Sequence, residues 1–170
     1  WGPFDVETDT CAIDPLNQRA ILGCDDGCIR VFDCRSGKLI QQIDAHTSGI
    51  KKVAVSSASG DILSAAYDQR ILIWDAASLE LKQELQRHSA TWERSFNWSP
   101  DGRNVMAGTF DGTVLYWDAR SGDLMPEIGG TTSPDSQLPG NACFNDVSAA
   151  RNGLCAMVSD DGALRMASLT

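Results

Sequence analysis

A turn aspartate followed seven residues later by the Asp of an aromatic–Asp pair recurs along this 170-residue chain. The pairs are Phe32-Asp33, Trp74-Asp75 and Trp117-Asp118, and they lie 42 and 43 residues apart. The turn aspartates keep the same spacing at Asp26, Asp68 and Asp111, and a weaker fourth copy begins at Asp161-Gly162. The loops of different repeats can differ in length. Two markers that nevertheless keep the same spacing through three repeats indicate a duplicated structural unit.

Each repeat contains short β-rich segments separated by turn residues. In the second repeat the pattern predicts strands at 52–56, 62–66, 71–75 and 81–85, with turns at the spacing typical of all-β proteins. In the third, Pro100 and Gly102 mark one turn, and Asp111-Gly112 marks a hairpin between strands at 105–109 and 113–117. A period of about 40–45 residues with four strands is the sequence signature of a β-propeller blade.

The sequence therefore predicts an all-β chain, a β-propeller with four antiparallel four-stranded blades, the last of which lacks its outer strand. The repeats are expected at 6–46, 47–88, 89–141 and 142–170, with a loop insertion at 129–141. The ring is expected to be incomplete within this chain, and either missing chain segments or a second copy would complete it. Since the chain begins at Trp1 rather than Met, we expect it to be cut from something longer.

Composition narrows the function classes. With 14 Lys and Arg against 23 Asp and Glu, the formal charge is −9, which argues against direct nucleic-acid binding and favours a basic partner. No apolar run is long enough to cross a bilayer. The six cysteines lack the spacing and companion histidines of a zinc site. We therefore expect reduced thiols, a cytoplasmic or nuclear location, and no metal or cofactor.

The spaced pairs and the Ser99-Pro100-Asp101-Gly102 turn resemble the WD-repeat family of β-propellers over nearly the whole chain. The resemblance implies a hydrogen-bonded tetrad in each blade: a His before the first strand, a Ser or Thr of the second strand, the turn Asp, and the Trp of the third strand. The second repeat matches four positions and the third matches three, with Ala107 at the Ser position. The matching residues are His46, Ser64, Asp68, Trp74, His88, Asp111 and Trp117. The first and fourth repeats keep only Asp26 and Asp161.

The resemblance also implies that partners bind the loops at one end of the blades, the top face. The expected contacts precede each turn Asp or lie near the start of a first strand, and they are Asp25, Tyr67, Phe110, Asp160, Lys51, Lys52, Trp92 and Arg94. Tyr, Trp and Arg are the residue types most enriched at binding hot spots. Both histidines fall at tetrad positions, and the sequence has no nucleophile elbow or phosphate-binding loop. No catalytic residue is therefore expected.

The sequence favours a non-catalytic protein-interaction scaffold that binds a partner protein or peptide through the top-face loops. One alternative is the regulatory or structural propeller region of a larger multidomain enzyme. Another is an acidic face that reads basic peptides such as histone tails. Phe32-Asp33-Cys34-Arg35 and Trp117-Asp118-Ala119-Arg120 also resemble the Trp-Asp-x-Arg box of ubiquitin-ligase substrate receptors, but the same residues fit an ordinary turn between the third and fourth strands.

Overall fold

The computed structural model describes residues 5–87, 93–110, 113–125, 143–149 and 154–168. Within these ranges the chain is all-β, with 14 strands in four antiparallel sheets. The strands fall in two compact units, the N-terminal unit Trp1–Leu85 and the C-terminal unit Gln86–Thr170. The prediction of an all-β chain with four antiparallel blades is confirmed. The described ranges hold no helix with the length and apolar character needed to cross a bilayer.

The N-terminal unit holds two four-stranded sheets whose strands lie side by side in chain order. The first sheet consists of β1 (Thr8–Asp14), β2 (Arg19–Cys24), β3 (Cys28–Asp33) and β4 (Leu39–Asp44). The second consists of β5 (Ile50–Val55), β6 (Ile62–Ala66), β7 (Ile71–Trp74) and β8 (Leu81–Glu84). The strands of the second sheet begin and end within two residues of the predicted bounds.

The C-terminal unit holds two sheets that show three strands each within the described residues. The third sheet consists of β9 (Glu93–Trp98), β10 (Asn104–Thr109) and β11 (Val114–Asp118), and an isolated bridge joins Trp117 to Leu124 beyond it. The fourth consists of β12 (Phe144–Ala149), β13 (Leu154–Ser159) and β14 (Leu164–Ser168). The predicted hairpin of the third repeat is present, with Val105 opposite Trp117, although its Asp111-Gly112 turn lies outside the described residues.

Within each unit, one sheet packs face to face on the next. We call the face that meets the following repeat the exit face and the opposite one the entry face. In the N-terminal unit, Ile50 and Val53 of the second sheet cover the exit face of the first, which is formed by Thr10, Ala12, Ile21, Gly23, Ile29 and Val31. In the C-terminal unit, Phe144 and Val147 cover the exit face of the third sheet, which is formed by Ser95, Asn97, Met106, Gly108, Val114 and Tyr116.

A glycine at the same position of both exit faces lets the next sheet approach closely. A Cβ on Gly23 would lie 2.6 Å from Cγ2 of Ile50, and a Cβ on Gly108 would lie 2.7 Å from Cβ of Phe144. Both distances are shorter than carbon atoms tolerate in contact. The absent side chain at these positions therefore sets the spacing between neighbouring sheets.

Side chains of the exit face also hydrogen-bond the main chain of the incoming first strand. The Val53 amide donates to Oγ1 of Thr10 at 3.2 Å in the N-terminal unit. In the C-terminal unit, Nδ2 of Asn97 donates to the Val147 carbonyl at 3.2 Å. These bonds satisfy polar groups that burial between two sheets would otherwise leave unpaired.

Candidate functional site

The second repeat contains a chain of hydrogen bonds that joins all four residues of the predicted tetrad. Nδ1 of His46 lies 3.1 Å from both carboxylate oxygens of Asp68, and Nε2 lies 2.8 Å from Oγ of Ser64. Nε1 of Trp74 donates to the same Ser64 hydroxyl at 2.9 Å. The strand register explains this contact. Ser64 on β6 lies opposite Leu72 on β7, and Trp74 follows Leu72 by two residues, so the Ser64 and Trp74 side chains lie on the same face of the sheet.

Burial determines which groups of this tetrad are charged. The pKa of His46 is lowered because burial disfavours its charged form, and the nearby Asp68 carboxylate offsets this only in part. Burial would raise the pKa of Asp68, but hydrogen bonds from the Arg70 and Thr47 amides and from His46 hold it below the ordinary value. At neutral pH, Asp68 is therefore ionised and His46 is neutral.

A neutral His46 allows every donor in the tetrad to meet an acceptor. Its Nδ1–H donates to Asp68, so Nε2 is left to accept the Ser64 O–H. The Ser64 oxygen then accepts the Trp74 indole N–H. A protonated imidazole would instead aim a second N–H at the Ser64 oxygen and leave the serine proton without this acceptor. The geometry and the lowered pKa of His46 point to the same protonation state.

The third repeat satisfies its tryptophan in a different way. Ala107 has no hydroxyl, and Nε1 of Trp117 donates to the main-chain carbonyl of Gln86 at 2.8 Å. The side chain of Gln86 also accepts the Leu124 amide at 3.1 Å. The predicted members His88 and Asp111 lie outside the described residues.

The first and fourth repeats use an arginine in place of the histidine. The guanidinium of Arg30 on β3 binds the Asp26 carboxylate at 2.7 Å, and Arg165 on β14 binds Asp161 in the equivalent way. These arginines hold the pKa of each aspartate below its usual range. The sequence analysis did not predict these two Asp–Arg ion pairs. Residues 25–30 and 160–165 nevertheless share the pattern Asp-Asp-Gly-x-(Ile or Leu)-Arg.

The residues that precede the turn aspartates lie on exposed turns tied to the start of the first strand. The amides of Asp25, Tyr67 and Asp160 donate to the carbonyls of Glu7, Gly49 and Cys143, each at 3.0 Å. Asp25, Tyr67, Phe110 and Asp160 are all exposed. Their repeated position therefore presents one side chain per repeat to solvent.

Four residues of the N-terminal unit form a defined surface, which we call the Tyr67 patch: Asp25, Gly49, Lys51 and Tyr67. The Tyr67 side chain is 55 % exposed, and Nζ of Lys51 lies 5.5 Å from the centroid of its ring. A Cβ on Gly49 would lie 2.3 Å from Oδ1 of Asp25, so the acid lies directly against this glycine. The patch combines an exposed ring, an ammonium group and a carboxylate.

The other predicted contact residues are not brought into this patch. Lys52 is half-buried on β5, and Phe110 and Asp160 belong to the C-terminal unit, where Nδ2 of Asn145 donates to Asp160. Trp92 and the 129–141 loop lie outside the described residues, and only the main chain of Arg94, on β9, is described. In the described ranges, no group of three His, Cys, Asp or Glu side chains could hold a metal ion.

The aspartates of the aromatic–Asp pairs hold the turns that follow the third strands. Asp33 accepts the amides of Arg35 and Ser36, and Asp118 accepts those of Arg120 and Ser121. Asp75 makes the same two bonds with Ala77 and Ser78. This pattern is an Asx turn, in which the side chain replaces a backbone acceptor.

Repeated antiparallel sheets, packed exit face on entry face and carrying this buried tetrad, define a β-propeller of the WD-repeat class. The family described as WD40, WD domain, G-beta repeat matches residues 37–75 and 79–118. Residues 37–75 and 79–118 are thus WD40 repeats, and the four antiparallel sheets match the fold of a partial WD40 β-propeller.

Two curated relatives are similar over part of their length. Autophagy-related protein 16 of Arabidopsis thaliana is 32% identical over 113 residues, which cover 64% of this chain and 22% of the relative. The Retinoblastoma-binding protein 5 homolog of Drosophila melanogaster is 27% identical over 94 residues, which cover 55% of this chain and 19% of the relative. The chain therefore spans about a fifth of the length of these relatives.

Solved structures share the fold at low sequence identity. The computationally designed Ika4 protein has a TM-score of 0.76 at 20% identity, with 99% of this chain and 94% of that chain covered. The β-propeller domain of Myceliophteria thermophila Cps50 (Swd1) has a TM-score of 0.79 at 16% identity, with 97% of this chain and 52% of that chain covered.

Proposed function

We propose that the protein is a non-catalytic interaction scaffold that binds a partner protein or peptide through the top-face loops. The observation that carries the proposal is the Tyr67 patch, where an exposed ring stands on a turn held by the buried tetrad. Tyr67 immediately precedes Asp68, whose carboxylate accepts bonds from His46 and from the Thr47 and Arg70 amides. A tyrosine held in this way contributes contact area at a small cost in conformational entropy.

The tetrad is proposed to have a structural role in this function. Its carboxylate and imidazole face each other inside the sheet rather than solvent, with side chains 7% and 0% exposed. A general base must reach a substrate proton. The tetrad instead orients the turn that presents Tyr67. The name of one relative refers to retinoblastoma binding, which is consistent with the proposed scaffold role.

The test compares wild type with Tyr67→Ala and a matched control in affinity enrichment from cell extract with quantitative mass spectrometry. Leu39→Ala is the control, because Leu39 is similarly exposed but lies on the outer strand β4. We expect at least one partner to bind wild type and Leu39→Ala equally and to be depleted roughly tenfold or more with Tyr67→Ala, as for a hot-spot residue. Identical sets of bound proteins for all three chains would refute the role of the patch.

A second candidate function, recognition of a basic peptide, is favoured by the exposed acids Asp25 and Asp160 at equivalent positions of the first and fourth repeats. A fluorescent histone-tail peptide, measured by anisotropy, provides the test. Binding should weaken as salt rises and should weaken further in Asp25→Lys or Asp160→Lys. Absent or salt-independent binding would count against this function.

Two further proposals concern the cellular location of the protein and the larger protein to which this chain would belong. They rest on the cysteine thiols and on the length of the relatives. The six cysteines, all within the described residues, form no disulfide with one another, which is consistent with an intracellular location in the cytoplasm or nucleus. Because the chain spans about a fifth of its curated relatives, it also fits the regulatory or structural propeller region of a larger protein. Expression of the tagged chain with fractionation and microscopy would test the location, and secretion would contradict it.

A further inference from the structure

We propose that Gln69 contacts the partner together with the Tyr67 patch, and that this surface binds an extended, uncharged peptide segment. Gln69 lies on the turn between β6 and β7, two residues after Tyr67. The inference rests on the proposed function, because it adds a contact residue to the same surface and names the class of partner that the surface accepts.

Gln69 adopts a backbone conformation that favours glycine. Its φ is 65°, in the left-handed region that residues with a side chain disfavour. Glycine occupies the same turn position in the first and fourth repeats, where Gly27 and Gly162 have φ of 80° and 77°. In all three turns the amide of this residue donates to the carbonyl three residues earlier, at 3.0 or 3.1 Å. The turn therefore forms with glycine, and the second repeat carries a glutamine there despite the backbone strain.

The Gln69 side chain forms no contact within the fold that would offset this strain. It is exposed, and its amide group makes no hydrogen bond to another described residue. The next residue, Arg70, by contrast forms an ion pair with Glu84 at 2.8 Å. A strained and exposed polar side chain beside an exposed aromatic residue points to contact with a partner.

The chemistry of Gln69 and Tyr67 fits the main chain of an extended peptide. A primary amide donates and accepts at once, so it can bond a peptide C=O and a peptide N–H. An extended segment offers both groups, whereas a helix or a sheet uses them internally. The Tyr67 ring, whose residue is 55% exposed, provides an apolar surface for a side chain of the same segment.

The charges around Tyr67 balance each other. Nζ of Lys51 lies 5.5 Å from the centroid of the ring, and the Asp25 carboxylate lies against Gly49. One base and one acid leave the Tyr67 patch without net charge. The surface therefore favours an uncharged segment, and salt should have little effect on its binding.

A phage-displayed library of random peptides provides the probe, because it contains unstructured segments of every charge. Selection on the 170-residue chain should enrich peptides, which are then synthesised with a fluorophore and measured by fluorescence anisotropy. Their dissociation constants should differ little between low and high salt, as for a contact without net charge. Failure of the library to yield a binding peptide, or an affinity that is lost in high salt, would overturn the proposal.

Gln69→Gly isolates the contribution of the side chain. It removes the amide group and the left-handed strain together, so the variant should unfold at no lower urea concentration than wild type. The selected peptides should nevertheless bind it roughly tenfold more weakly, because the hydrogen bonds from the amide group to the peptide are lost. A weaker affinity in a variant of undiminished stability cannot be attributed to unfolding.

Gln18→Gly is the matched control. Gln18 is also an exposed glutamine in the left-handed region, with φ of 54°. It lies on the turn between β1 and β2, at the end of β2 opposite to the turn that carries Asp25. Gln18→Gly should therefore relieve the same kind of strain and bind the selected peptides like wild type.

Tyr67→Ala separates a failure of this inference from a failure of the proposed function. We expect Tyr67→Ala and Gln69→Gly each to weaken peptide binding. Peptides that bind Gln69→Gly like wild type but are lost with Tyr67→Ala would overturn the role of Gln69 and leave the patch as a binding surface. Peptides that bind wild type and both variants equally would place the binding site elsewhere and contradict both proposals.

Discussion

Oγ of Ser64 lies 2.8 Å from Nε2 of His46, and this contact sets the direction of every proton in the tetrad of the second repeat. The hydroxyl donates to the imidazole and accepts the Trp74 indole, which leaves Nδ1–H of His46 to donate to Asp68. Each buried polar group of this tetrad has a partner, which is the arrangement that buried networks require.

Removal of the Asp68 carboxylate should destabilise the protein. Asp68→Ala leaves the buried Nδ1–H of His46 without its acceptor and also removes the acceptor of the Thr47 and Arg70 amides. We expect a loss of about 1.5–3 kcal/mol in the free energy of unfolding, the range for hydrogen bonds to charged groups. Urea denaturation measures it. Asp9→Ala, at an exposed aspartate of β1, is the control and should change the value by less than about 0.5 kcal/mol.

Acidification should destabilise the fold first through His46. Its folded-state pKa lies below 6.5, so below pH 6.5 the unfolded chain binds a proton that the folded chain does not. The free energy of unfolding should therefore fall as pH falls from 6.5 toward the lowered pKa, by at most about 1.4 kcal/mol per pH unit. Asp68 adds a loss only below pH 3.8, because its pKa is also lowered.

Urea denaturation at a series of pH values checks this behaviour. His46→Gln should flatten the decline just below pH 6.5, whereas Asp9→Ala, at an exposed aspartate of β1, should leave the decline unchanged. A decline of unchanged slope in His46→Gln would show that another group titrates in this window.

Two glycines at the same turn position should respond differently to alanine. Gly27 has φ of 80° and Gly162 has φ of 77°, so alanine at either meets the left-handed strain of about 1–2 kcal/mol. A Cβ on Gly27 would also lie 2.3 Å from the His46 carbonyl oxygen, whereas a Cβ on Gly162 meets nothing within 4 Å. Gly27→Ala should therefore cost clearly more than Gly162→Ala in urea denaturation. Equal losses would mean that backbone strain alone determines both.

The Asp–Arg pairs of the first and fourth repeats should contribute less stability than the tetrad. The Asp26 and Arg30 side chains are 35% and 14% exposed, so water and salt screen their attraction. Arg30→Met should cost no more than about 1 kcal/mol, with a smaller loss in high salt. Denaturation in low and high salt measures both values. A loss as large as that of Asp68→Ala would contradict the assignment of this pair as a weak, screened contact.

The sequence was sufficient for the fold because the fold depends on local turn chemistry. Asp68 and Asp75 keep their seven-residue spacing because one begins the turn before β7 and the other holds the turn after it. Glycines at turn positions, such as Gly102 with φ of 71°, mark the turns independently of packing. These signals lie within a few residues of the structure they specify, so they can be read without tertiary information.

The candidate site was harder to predict from the sequence than the fold was, because its contacts join residues that are far apart in the chain. The Trp117 indole donates to the carbonyl of Gln86, and a main-chain acceptor leaves no residue type in the sequence to detect. Arg30 and Arg165 share a sequence pattern that could have predicted their ion pairs with Asp26 and Asp161. The family tetrad instead predicts a His as the partner of the turn Asp, and neither repeat has that His. The proximity of Lys51 and Tyr67 depends on the pairing of β5 with β6, which the spacing of single residues does not reveal.

The bonds from Thr10 and Asn97 to the main chain of the following strand bear on how such repeats evolve. A backbone amide or carbonyl is present whatever residue occupies the incoming position. A duplicated copy can therefore dock on its neighbour before its own side chains have adapted. Later divergence of the incoming strand does not remove its main-chain amide or carbonyl. This freedom gives a reason why the first repeat could replace His and Trp with other residues and still keep its place beside the second.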